Sequence, residues 1–202
     1  MKVITGVAAL LLVTACSQER TGNPKPESNA SAQTTPNAGT VAEPGLAKAS
    51  GTVSQFTTGG LTPCKVIEKN EEEGPFYRHR CPGIGGFNYE VIEHDLRQEL
   101  VIIGLDGRRQ ELGLGRIGNG GFSTLGTTFD WRGPAGKPPR TLTVRYNVDD
   151  DGDPDIPDLS YLAVIRLGSP ACIVASVPPA PGQNDRAREI ADRSPLPPCM
   201  KE

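Results

Sequence analysis

Three groups of residues in this chain have the types and spacing to do chemistry. In the first, Asn147, Asp149, Asp151 and Asp155 occupy positions 1, 3, 5 and 9 of a stretch that carries Gly152 at position 6. Calcium takes roughly six to eight oxygen ligands, and a glycine at the tight turn lets a short loop wrap around the ion, so this spacing defines a candidate calcium site. Asp158 closes the stretch with a short arm and Pro154 removes a backbone N–H, both of which weaken such a site. The plainer reading, a solvated acidic loop between two strands, comes first. No other cofactor is indicated.

The aspartate stretch resembles the calcium loops of integrin-like repeats and EF-hands, but no helix pair flanks it. The second group is His94 beside Asp95, with Ser123 in Gly121-Phe122-Ser123-Thr124-Leu125. A nucleophile elbow places glycine where Leu125 stands, and only His79 and His94 could serve as imidazole bases. Hydrolysis is therefore an alternative reading, behind a non-enzymatic one. Gly83 to Gly86 read as a turn, because Phe87 to Glu93 looks like a strand and a phosphate-cradling loop must open a helix. Glu68 and Glu71 to Glu73 form a solvated acidic run.

The third group is the cysteines. Five are present, Cys16, Cys64, Cys81, Cys172 and Cys199. No two of the last four have CxxC spacing, which argues against zinc. An even number in an exported domain reads as two disulfides, and four cysteines permit three connectivities. Short loop closure favours Cys64 with Cys81 and Cys172 with Cys199, each contributing about 3 kcal/mol by chain entropy.

Cys16 has a different role. Met1 and Lys2 precede an apolar run from Val3 to Val13, too short to span a bilayer, and then come Val13-Thr14-Ala15-Cys16. This resembles the lipobox of bacterial lipoproteins. The resemblance implies removal of a signal peptide at 1–15, acylation of Cys16 and membrane attachment through the lipid, and Ser17 in place of aspartate implies the outer membrane rather than the inner. Acyl chains contribute about 0.8 kcal/mol per buried methylene, so several make a durable anchor.

The elements that must position these groups follow from composition and periodicity. Residues 16–54 are Ser, Thr, Ala, Gly, Asn, Gln and Pro with few large hydrophobes, and such a segment buries too little to offset its chain entropy. It reads as a tether with a root-mean-square reach of about 35 Å. Residues 55–202 can hold one core. Leu142, Val144 and Tyr146 alternate with Thr141, Thr143, Arg145 and Asn147, the period of a half-buried strand. Similar runs at Cys64 to Glu68, Phe76 to Arg80, Asn88 to Glu93, Glu99 to Gly104, Thr128 to Arg132, Tyr161 to Leu167 and Cys172 to Val177 alternate with Gly and Pro turns. The pattern predicts a mainly β fold, an antiparallel sandwich or partly open barrel, with one short C-terminal helix. Asn184 or Asp185 caps that helix, Ala187, Ile190 and Ala191 give its apolar stripe, and Pro195 ends it. Trp131 is placed in the core.

The domain also resembles an uncharacterised group of exported proteobacterial proteins, on Cys81-Pro82-Gly83-Ile84-Gly85-Gly86, Asp95-Leu96-Arg97, Asp130-Trp131-Arg132 and the helical stretch between Cys172 and Cys199. That resemblance implies the domain and supplies no catalytic residue. The formal charge of -3 and the lack of a basic cluster exclude nucleic acid as partner. The expectation is a non-enzymatic lipoprotein of the outer membrane or periplasm, with a binding or envelope-maintenance role toward an envelope protein or cell-wall partner. The alternatives are a lysozyme-inhibitor-like binding module and an envelope hydrolase.

Overall fold

The computed structural model describes residues 51–72, 74–118, 120–149, 152 and 155–201. The segments expected to be a signal peptide and a lipidated tether, Cys16 included, lie outside them up to residue 50. The strands are β1 (Thr52–Thr58), β2 (Lys65–Asn70), β3 (Phe76–Pro82), β4 (Asn88–His94), β5 (Arg97–Ile103), β6 (Arg109–Glu111), β7 (Phe122–Pro134), β8 (Thr141–Asp149), β9 (Leu159–Arg166) and β10 (Cys172–Val177), followed by one helix, α1 (Gln183–Ala191). The fold is thus mainly β with a short C-terminal helix. β1 takes in Thr52 to Ser54, residues that composition places at the end of the tether.

All strands belong to one sheet in the order β10-β9-β8-β7-β5-β4-β3-β2, with β1 on β7 and β6 on β5. The sheet does not close. Neighbours pair antiparallel except β5 and β7, which meet in parallel at Arg97 and Ser123. That meeting divides the sheet into two arms, and their inward residues form the core: Tyr89, Val91, Leu100 and Ile102 from one arm, and Phe129, Trp131, Leu142, Val144 and Ile165 from the other. Tyr89 and Phe129 pack in a tilted pair with ring centroids 5.0 Å apart, and burial pushes the Tyr89 phenol up to about 12.

β7 serves both arms because of a register shift between Leu125 and Phe129. Its first residues lie beside β5, and from Thr128 onward its free edge takes β1. Gly126 sits at the shift, where a Cβ would stand 2.7 Å from that of Arg145, so no larger residue fits. Gly83 plays a similar part: a Cβ there would meet the Phe87 carbonyl oxygen at 2.6 Å and the Trp131 ring at 3.0 Å. The turn therefore meets the core tryptophan at Gly83, while Gly85 lies against Pro138 and Pro139.

Cys64 is bonded to Cys81 and Cys172 to Cys199, with Cα atoms 4.2 and 5.7 Å apart. These are the local pairs expected from loop length. α1 packs Ala187 and Ala191 against Leu162, Val164, Val174 and Val177 on the outer face of β9 and β10. It starts earlier than expected: Gly182, at φ 72°, is its N-cap with no side-chain cap bond, and Asn184 and Asp185 lie inside the first turn. Among the described residues no helix is long and apolar enough to cross a membrane.

Edge strand β2 is exposed throughout, with Lys65, Glu68 and Lys69 and a bulge between Val66 and Glu68, devices that discourage pairing with another chain. On the outer face of its arm Glu90 is fully buried. Arg80 Nε donates to its Oε1 at 2.9 Å, and Arg109 Nε donates to its Oε2 at 2.8 Å. Burial pushes the carboxyl up, but the bonds and charges of Arg109 and Arg80 outweigh burial and hold it below its ordinary value of 4.5. A carboxyl depressed on folding contributes stability above its unfolded value and loses it as pH falls through the lower folded value. Glu90→Gln should lose about 2 kcal/mol at neutral pH, less than a fully enclosed pair because both guanidiniums reach solvent. The gap between wild type and variant, read from urea midpoints, should shrink below pH 4.5. A gap independent of pH would refute this account.

Candidate functional site

The turn between β4 and β5 is a two-residue loop, Asp95-Leu96, with both residues in the left-handed region at φ 50° and 59°. Such hairpin turns favour Asn-Gly, because a Cβ at positive φ crowds the backbone. Asp95 tolerates the conformation by local hydrogen bonding, its carboxylate accepting from Arg97 Nη1. Leu96 has no such compensation and is 69% exposed. The turn is held against the start of β7: Ser123 N donates to Leu96 O at 3.0 Å, and Arg97 Nε donates to Gly120 O at 3.1 Å. The Arg97 guanidinium lies 5.5 Å from the centroid of the Phe122 ring, itself partly exposed.

Beside this turn lies a cleft of about 400 Å³. Glu93 and Asp95 border it from the β4–β5 hairpin, and Asp149 and Asp158 border it from the two ends of the aspartate loop. Tyr77, Leu96 and Phe122 supply its apolar surface. Glu93 is fixed in place: Oε2 lies 2.8 Å from His79 Nε2, and Oε1 accepts from Gln98 Nε2 at 3.0 Å. Gln98 is oriented in turn by Leu125 N, which donates to its Oε1 at 2.7 Å. Tyr77 Oη donates to Glu71 Oε1 at 2.6 Å, and this bond raises the phenol and lowers the carboxyl.

The cleft floor is polar but occupied by its own bonds. Ser123, 3% exposed, accepts from Tyr146 Oη at 2.7 Å and from Gln98 N at 3.4 Å. Burial raises the Tyr146 phenol. Burial also raises Glu99, against the N–H groups of Leu114 and Leu100 that donate to its Oε1. His94 is exposed at the end of β4 and Asp95 is turned to Arg97. Of the residues considered for hydrolysis, Ser123, His94 and Asp95 all border the cleft, but the serine hydroxyl is engaged by a phenol and a backbone N–H rather than an imidazole.

The candidate calcium ligands are also engaged locally. Asn147 Oδ1 accepts from Ser160 Oγ at 2.8 Å, and Asp149 Oδ1 accepts from Gly152 N at 2.7 Å. Asp151 lies outside the described residues, and Asp155 stands in a turn beyond the loop. Among the described residues no three His, Cys, Asp or Glu side chains converge to hold a metal.

The acidic loop and the hairpin are separated by about fifty residues, so composition shows each one and nothing of their meeting. Leu96 and Phe122 carry no periodic signal, since one sits in a turn and the other opens a strand after glycines. The cleft's net character is clear from its border, where among the described residues four carboxylates face a single guanidinium that is already bonded to Asp95. No family model, no curated protein and no solved structure matches this chain.

Proposed function

We propose that the protein is a non-enzymatic binding module of the cell envelope, attached by acyl chains on Cys16 to the outer membrane, whose cleft takes a cationic partner. The observation that carries this reading is the placement of Glu93, Asp95, Asp149 and Asp158 along the border of one cleft with the exposed pair Leu96 and Phe122. Carboxylates on low-dielectric walls focus a negative potential and speed the encounter with a basic surface, while the exposed apolar pair supplies contact area that water leaves readily. The turn that presents Leu96 is held in a conformation that is unfavourable by about 1 kcal/mol, which is consistent with a site shaped for contact rather than for local stability.

The lipobox supports the anchor, and the two disulfides fit an oxidising compartment. A lysozyme-inhibitor-like role is the specific form of this reading, because lysozymes are basic and act at the envelope. The test uses the full-length protein in detergent with hen lysozyme as the cationic probe. Asp95→Asn combined with Asp158→Asn should slow association about tenfold at low salt, with the difference closing at high salt. Phe122→Ala should speed dissociation instead. Equal rates for wild type and variants would overturn the cleft as the site, and unaltered lysozyme activity in the complex would remove the inhibitor form.

A further inference from the structure

A second concave site lies elsewhere, on the outer face of β1, β7 and β8 beneath α1. Strand register builds its floor. Phe56 stands opposite Asp130, and Asp130 opposite Thr143, so one row across three strands presents these side chains on one face. α1 forms the wall with Arg188, Arg145 stands nearby, and the trough measures about 300 Å³.

Its chemistry is uneven in a way that points to a ligand. Asp130 Oδ1 and Thr143 Oγ1 are buried with no hydrogen-bond partner among the described residues, although a buried unpaired carboxylate oxygen or hydroxyl is costly. Thr143 is 7% exposed. The other oxygen of Asp130 meets Arg188 Nε at the long distance of 3.5 Å. The Arg188 side chain is 41% exposed, so it can swing aside and open the floor. Arg145 is held in place, donating to Ser160 Oγ, Gln183 Oε1 and Asn184 Oδ1. Arg188 Nη1 also lies 3.5 Å from Asp185 Oδ1 on the exposed side of α1, so both of its ion pairs are long. Two guanidiniums border the trough with the one carboxylate of Asp130, and Phe56, 58% exposed, offers a flat apolar wall.

We propose that this trough binds an acidic saccharide. The C–H face of a sugar ring packs on Phe56. Its hydroxyls donate to Asp130 Oδ1 and exchange hydrogen bonds with Thr143, satisfying both groups. The acid group is received by Arg188, with Arg145 reinforcing the field, and guanidinium–carboxylate pairing favours it over a neutral sugar. This inference does not rest on the cleft, which none of these residues borders.

Acidic saccharides occur in cell-wall glycan and in secreted polysaccharide, and the probes separate the two. Full-length protein in detergent is titrated, by ligand-observed magnetic resonance, with N-acetylmuramic acid against N-acetylglucosamine and with glucuronic acid against glucose. One acid or both should bind at least about fivefold more tightly than its neutral counterpart, and the tighter acid identifies the source. Phe56→Ala and Arg188→Gln, both at exposed side chains, should each weaken binding about tenfold, and the isosteric Asp130→Asn should do the same. No binding of either acid up to about 20 mM, equal binding of the neutral sugars, or binding unchanged in all three variants would overturn the proposal.

Discussion

Trp131→Ala should destabilise the domain by about 3 to 5 kcal/mol, the range for truncating a large buried aromatic. Trp131 is fully buried in the second half of β7, opposite Gln55 of β1 and Leu142 of β8. Three things fail together when the indole is removed. Apolar contacts across the core are lost, and the packed surroundings collapse only partly into the cavity. The turn at Gly83 loses the surface it lies on. Thr57 Oγ1 loses the Nε1–H that donates to it at 2.9 Å, which also ties β1 to β7 by a side chain. Trp131→Phe keeps most of the volume and should lose about half as much. Trp131 is the chain's single tryptophan, so far-ultraviolet circular dichroism in urea is the measurement, with the slope checked for constancy. A loss below about 1 kcal/mol for the alanine variant would show that the tryptophan does not organise the core.

Breaking Cys172–Cys199 with a double serine variant should lose about 3.5 kcal/mol, and breaking Cys64–Cys81 about 3 kcal/mol, because the sequence separations are 27 and 17 and the entropy of an open chain grows with loop length. The two losses should differ in where they are felt. The longer loop contains α1, whose apolar docking on β9 and β10 is limited to two alanines and a few aliphatic side chains. Its polar ties to these strands include Gln183, which donates to Ser160 O and Val177 O. Without the bridge the tail is tied to β10 by the backbone bond from Met200 N to Ile173 O at 2.8 Å. Hydrogen exchange of α1 amides should therefore accelerate in the Cys172 and Cys199 variant well beyond the global change, while the Cys64 and Cys81 variant should accelerate exchange in β2 and β3. Uniform acceleration in both would mean that neither bridge restrains a local unit.

The pairing of the cysteines, the strand-rich class, the C-terminal helix and the burial of Trp131 were legible in the sequence because each depends on local information. Loop length governs which cysteines can meet cheaply, and a period of two marks a strand with one covered face. The reading of β8 shows where that information ends. Alternation put Leu142, Val144 and Tyr146 inside, as found, but Thr141 and Thr143 on the opposite face are buried as well. The outer face is covered by elements remote in sequence, including α1, and no local pattern records that cover.

β1 was hidden for the same reason. Thr52 to Ser54 read as the end of the tether by composition and Gln55 to Thr58 show no strand period, and the whole segment becomes a strand because the shifted register of β7 leaves an edge for it to pair with. Glu90 stands at an outward position of β4, where composition suggests a solvated carboxylate, and only the approach of Arg80 and Arg109 from separate strands buries it. The sequence by itself therefore determined the disulfide pairs and the strand-rich class. Tertiary structure alone decided that Asp149 and Asp158 would border one cleft with the strained hairpin turn, and that Phe56, Asp130 and Thr143 would share one row. Both arrangements are set by pairing between strands far apart in the chain, where register and packing, rather than neighbouring residues, choose which side chains meet.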